Sequence, residues 1–258
     1  MTSEREGDRA GRTEHRRGEI DQTEGGVGSP EGPEGFAQRL QRSLSAVRNG
    51  NVDRRRAAAR RAGDSVRMVI ERLISTEVPA EVLDAAAARM SEIADLLDVE
   101  GTVRRYEGMA EEPGLGFDPT FFDWSPVLGL ANPLSPPLYV DIEKDVVVGR
   151  GRFGDAYEGP PGCVHGGFVA AAFDEVLGVT QSLSGQLGMT GTLTVHYRRP
   201  TPLHCDLRFE GRVDQVSGRK VLTSARLYAG EELTAEASGV FVSVPAGLFE
   251  GSRRGRSK

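Results

Sequence analysis

Residues 162–175 read GCVHGGFVAAAFDE. His165 precedes two glycines, an apolar run rich in alanine follows, and Asp174 and Glu175 close it. The stretch predicts one long apolar helix from about His165 to Ser182. A helix with so many apolar residues must be covered on most sides. The flanking sequence supplies the cover. Upstream, LYVDIEKDVVVGRGRF (138–153) predicts two strands around Glu143-Lys144-Asp145. Downstream, TGTLTVHYRRP (190–200), DLRFEGRVDQV (206–216), KVLTSARLYAG (220–230) and LTAEASGVFVSV (233–244) predict four more. Ser217-Gly218 predicts a tight hairpin between the second and third of these. Two strands, one helix and four strands give an α+β fold: one antiparallel sheet curled around a central helix.

The rest of the chain has other textures. Residues 1–35 are rich in Gly, Glu and Arg and carry few large aliphatic residues. They cannot bury enough apolar surface to offset their ordering entropy, which predicts a disordered tail. Residues 36–100 are helical in pattern. Val66, Val69, Ile70, Leu73 and Ile74 form one stripe. Leu83, Ala86, Met90, Ile93 and Leu97 form a coiled-coil-like seam, and Pro79 suits the start of that second helix. The two together predict a helical hairpin. Its arginines, Arg54 to Arg72, are expected on a solvated face. Residues 101–137, rich in Pro and Gly with scattered aromatic rings, predict an irregular connector anchored by those rings. Residues 138–245 form the sheet-and-helix domain, and residues 246–258 a flexible basic tail.

The composition excludes several functions. A formal net charge of -6 argues against nucleic-acid binding. No stretch approaches the ~20 apolar residues of a membrane span, and no secretory leader is expected. Cys163 and Cys205 have neither CxxC nor metal-ligand spacing, so neither a metal site nor a disulfide scaffold is predicted. A soluble cytoplasmic protein without a cofactor is the expectation.

The chemistry concentrates where the helix begins. The first amides of a helix lack intrahelical acceptors and can hold an oxyanion, and glycine lets a ligand approach that backbone closely. Gly166-Gly167 can serve in that way or simply turn the chain. Asp174 follows Phe173 and lies three or four positions from Ala170, Leu177 and Gly178, among apolar neighbours. A partly desolvated carboxylate there suits a general base. It can equally sit at an edge, with Glu175 as the exposed acid of an amphipathic helix. His165 reads as a capping residue more readily than as a base. His196 and His204 have no spacing that pairs them with it, and no GxSxG elbow accompanies them.

HGGFVAAAFDE followed by GMTGTLTVHYRRPTPL resembles the hotdog-fold acyl-CoA thioesterases of the PaaI type, in the branch with a Thr before the first long strand. The likeness runs from about Leu138 to Val244. It implies hydrolysis of an acyl-CoA to a carboxylic acid and coenzyme A. In that family the amide of Gly166 would polarise the thioester carbonyl. Asp174 would act as general base or nucleophile, Thr190 would position the water or the carboxylate, and His165 would support the loop. Gly167, Phe168, Phe173 and Leu177 would line the substrate site, and Arg198 and Arg199 would meet the phosphates of coenzyme A. The family joins two subunits at their sheets, so a homodimer or dimer of dimers is implied. Eight residues separate Gly166 and Asp174, ~12 Å along a helix. One carbonyl cannot reach both on the same helix. Many members carry Asn six residues before the His, where this chain has Gly159. The alternatives are a non-catalytic acyl-CoA sensor and another hotdog chemistry such as enoyl-CoA hydration.

Overall fold

The computed structural model describes residues 32–49, 52–98, 122–136 and 138–243. The expected tail from 1 to 31, the stretch 99–121 of the helical region and connector, and the basic tail from 246 fall outside the described residues.

Helices α1 (Gly32–Asn49), α2 (Arg54–Ser75) and α3 (Ala80–Leu97) precede strands β1 (Tyr139–Glu143) and β2 (Val146–Gly151). After a single turn of 3-10 helix at Asp155–Tyr157 comes α4 (Gly166–Ser182). Strands β3 (Gly188–Tyr197), β4 (Leu207–Ser217), β5 (Lys220–Ala229) and β6 (Glu232–Ser243) complete the chain. The six strands form one sheet in the order β1-β2-β4-β5-β6-β3, antiparallel throughout. Ser217 pairs with Lys220 and Ala229 with Glu232, so two-residue loops close both hairpins. Gly218 and Gly230 take the positive φ those turns require.

The sheet wraps α4. Val169, Ala172, Phe173, Val176, Leu177 and Val179 are buried on the helix. Phe173 meets Phe209 of β4 edge to face at 5.3 Å. Close approach of helix and sheet depends on Gly211: a Cβ there would lie 2.2 Å from Thr180 Oγ1, itself fully enclosed. Gly211→Val is expected to cost about 1–3 kcal/mol through overpacking. Urea unfolding should show the loss, and Thr180→Ala in the same chain should recover part of it.

The two outer strands differ. α1 lies against β1, with Leu40 and Leu44 in the core and Gln41 Nε2 donating to Ile142 O at 3.2 Å. Among the described residues β3 pairs with β6 and no further strand, and most of its residues are exposed. Among those residues one edge is therefore covered and the other is open.

The helical region departs from expectation in three ways. The helix begins at Gly32, inside the segment predicted to be disordered. Arg54, Arg55, Arg61 and Arg72 of α2 are solvated as expected, but Arg56, Arg60 and Arg67 form its docking face instead. Arg56 and Arg60 both bond Asp123, which is 1% exposed, with Arg60 Nη2 at 2.8 Å. Arg67 donates to the carbonyls of Asn132 and Leu130 at 2.6 and 2.7 Å. Gly63 is buried, with space for no Cβ against the Ala131 carbonyl, 2.9 Å away. The described part of the connector, 122–136, is irregular chain that presents the Asp123 carboxylate and the Leu130 and Asn132 carbonyls to α2, and guanidinium groups meet them. Lastly, the hairpin seam is not closed. Val66, Val69 and Leu73 on α2 and Leu83, Met90, Ile93 and Leu97 on α3 all stay exposed, and α3 buries no residue. Among the described residues no helix is long and apolar enough to cross a membrane.

Candidate active site

His165 is the N-cap of α4. Its Nδ1 accepts the Gly167 N–H at 3.0 Å, while its own N–H donates to Tyr157 O at 2.8 Å. The amides of Phe168 and Val169 turn back to His165 O. Among the described residues, that leaves the Gly166 N–H without a protein acceptor, at the positive end of a 17-residue helix. The two glycines are thus unequal: Gly167 is capped, Gly166 is open. Tyr197 of β3 buttresses the turn, donating its O–H to Gly166 O at 2.7 Å. Its ring lies 3.3 Å from where a Cβ at 166 would sit. Sequence reasoning gave Tyr197 no role. Its alternation with Leu193 and Val195 was the available signal.

Two turns along, Asp174 Oδ1 accepts from Thr190 Oγ1 at 2.7 Å. This contact depends on a bulge. The β3–β6 register shifts between Thr190 and Thr192, leaving Gly191 as the extra residue. Leu193 and Val195 face the core. Strict alternation would turn Thr190 away from that face, and the bulge turns it back toward the helix. Asp174 is half-buried, and its Oδ2 has no protein donor among the described residues.

The neighbouring acid is not simply the exposed member of the pair. Glu175 is half-buried, like Asp174, and its carboxyl is tied inward. Its Oε1 accepts from Ser125 Oγ at 3.0 Å, and that hydroxyl also accepts the amides of Val127 and Leu128. Burial pushes the Glu175 carboxyl up to about 7; the Ser125 hydrogen bond opposes the rise and the charge of Asp174 adds to it. The unfolded chain ionises near the ordinary value, so this group withdraws stability as pH rises from about 4.5 to 7. Glu175→Gln should therefore match the parent protein near pH 4.5 and melt about 3–6 °C higher at pH 8. Melting curves at the two pH values check it.

Comparison with known proteins decides the family. The thioesterase superfamily profile matches residues 161–236. The Pseudomonas aeruginosa protein PA0474 is 33% identical over 129 residues, covering 49% of this chain and 93% of its own. A crystal structure of the thioesterase superfamily protein RHA08564 superposes with a TM-score of 0.63 at 31% identity, over 71% of this chain and 94% of that one. The chain belongs to the thioesterase superfamily. The frog Xenopus laevis acyl-coenzyme A thioesterase THEM4 is 37% identical over 94 residues, 35% of this chain and 42% of the frog protein. The chain spans only 38% to 51% of the length of the three THEM4 proteins from frog, cattle and mouse that it matches.

Within this thioesterase-superfamily fold the remaining expected site residues separate. Phe168 is exposed, and its ring meets those of Tyr157 at 4.9 Å and His165 at 6.2 Å. Phe173 and Leu177 are wholly enclosed between helix and sheet. They offer a ligand no surface, which corrects their expected place in the pocket wall. Apolar positions on both faces of a wrapped helix look alike in sequence. Arg198 and Arg199 are exposed but already paired, with Glu236 at 2.8 Å and Glu232 at 3.0 Å. Arg198 and Arg226 hold the Glu236 carboxyl below its usual range. Gly159 has a steric reason: a Cβ there would fall 2.7 Å from His165 Cα. The Gly159 N–H is spent on Cys163 O, closing the turn that leads to His165. An Asn at this position has no room in this loop.

Proposed function

We propose that this chain hydrolyses an acyl-CoA thioester to a carboxylic acid and coenzyme A, as a homodimer joined along β3. The observation that carries the reading is the pair of half-sites on one exposed face. One is the open Gly166 amide; the other is the Asp174–Thr190 pair, with one carboxylate oxygen unclaimed. They lie ~12 Å apart on one helix. The open β3 edge supports a second copy there, which would set Asp174 of one subunit against Gly166 of the other.

In this reading the thioester carbonyl accepts the Gly166 N–H. Asp174 Oδ2 takes a proton from water as its oxygen bonds the carbonyl carbon, while Thr190 fixes the carboxylate through Oδ1. Negative charge gathers on the carbonyl oxygen, where the helix-end amide is already aimed. Collapse breaks the C–S bond, and the proton passes to the departing thiolate. Arg198 and Arg199 would exchange their glutamate partners for the phosphates of coenzyme A. The reading takes the chain as of the PaaI type within the superfamily, which the order of its motifs supports, acting in the cytoplasm without a cofactor.

The test is release of free thiol from a panel of short, long and aromatic acyl-CoAs, together with the mass of the protein in solution. Thiol release by a dimer upholds the reading. Tight binding of acyl-CoA with no thiol released would overturn it in favour of a sensor.

A further inference from the structure

A cavity of about 600 Å3 lies beside the first turns of α4, between that helix, the connector and α2. Its wall is apolar: Met68 and Ile70 from α2, Val127 and Leu134 from the connector, Tyr157, and Phe168 of α4. Three charged residues reach it, and each is committed elsewhere. Arg67 serves the carbonyls of Leu130 and Asn132. Glu71 accepts the amides of Asp155 and Ala156 at 2.8 and 3.3 Å. Arg152 pairs with Asp206 at 2.8 Å. The Tyr157 hydroxyl donates to Leu134 O. With every charged side chain and the phenol engaged, the cavity offers a ligand hydrocarbon contact and little else.

Its position joins it to the candidate active site. Tyr157 accepts the His165 N–H through its carbonyl, and Phe168 packs on both His165 and Tyr157. The two wall residues therefore flank the residue that precedes the open Gly166 amide. The outer wall comes from α2 and the connector, outside the sheet-and-helix domain. It is held by the Arg56 and Arg60 bonds to Asp123 and by the close seat of Gly63 on Ala131.

We infer that this cavity holds the hydrocarbon chain of an unbranched aliphatic acyl group, and that α2 sets the length accepted. The inference rests on the thioesterase reading for its chemistry but not for its binding test. Two measurements go together on the full chain: kcat/KM for acyl-CoAs from two to sixteen carbons, and Kd by calorimetry for non-hydrolysable S-ethyl- and S-dodecyl-CoA thioethers. Affinity should rise with chain length, by at most about fourfold per methylene. Ile70→Trp, which fills the cavity from α2, should lower the long-to-short ratio of kcat/KM and of affinity at least tenfold. Ala156→Phe fills it from the opposite wall and should do the same if the first variant fails to fold. Equal affinity for the two thioethers, or a ratio unmoved by both folded variants, overturns the cavity assignment even if thioesters are hydrolysed. Length-dependent binding lost in the variants, with no hydrolysis of any thioester, upholds the cavity and sinks the catalytic reading alone.

Discussion

Asp174→Ala is expected to reduce kcat for thioester hydrolysis by about 10²–10⁴, the usual contribution of a positioned base. The carboxylate is half-buried and tied through one oxygen to Thr190, which leaves the other to receive a proton. Asp174→Asn should fall as far, because its amide keeps the shape and a hydrogen-bonding oxygen but has no basic oxygen. Thr190→Val should lose less, since it frees the carboxylate to rotate without removing it. Stopped assays of thiol release on the three variants check the order, with circular dichroism to confirm that each folds. Hydrolysis by Asp174→Ala at the parent rate would remove Asp174 from the mechanism. Single turnover in labelled water separates base from nucleophile: label appearing in the Asp174 side chain marks a covalent acyl intermediate.

Gly166→Pro is expected to lower kcat by about 10²–10³ while α4 stays intact. Removing one oxyanion donor has that typical cost. Proline is tolerated at the first position of a helix because its missing N–H has no intrahelical acceptor there. The preceding residue, His165, already has the extended backbone that proline demands, with φ -59° and ψ 132°. The substitution therefore deletes one hydrogen bond donor from the site and little else. The new ring meets Tyr197, 3.3 Å away, so Tyr197→Phe serves as the control for disturbance on that side. If Gly166→Pro keeps full activity with a native spectrum, the Gly166 amide is not the oxyanion donor. The Gly167 amide, released from His165 Nδ1, would be the next to test.

Much of this was legible in the residues. The change of hydrophobic period at Leu138 marked where the sheet begins, and the alternating runs placed six strands. The apolar helix between the second and third predicted its own wrapping, because nothing else can shield an apolar helix from water. His165, Gly166 and Asp174 were legible as a set because each is an odd residue for its position: a cap, a gap in side chains, and an acid in an apolar run. The helical region was misread for the same reason. Periodicity assumes that apolar stripes point inward and arginines outward. Beneath one face of α2 lie the Leu130 and Asn132 carbonyls and Asp123, which need donors, and Arg56, Arg60 and Arg67 supply them.

The sequence by itself set the order of the strands and the central helix through local period, pointed to the family through the resemblance of its motifs, and marked His165, Gly166 and Asp174 as candidates through residue type. The tertiary structure alone decided that Asp174 is tied to Thr190 and Glu175 to Ser125. It also decided which of two glycine amides is open, and that a one-residue bulge at Gly191 turns Thr190 onto Asp174. Each of these depends on a neighbour brought from a distant part of the chain, Ser125 for Glu175 and β6 for the bulge, or on the rotamer of His165. Residue type and spacing carry no record of such contacts, because a one-residue slip in register or a 100° turn about a helix axis leaves the sequence unchanged.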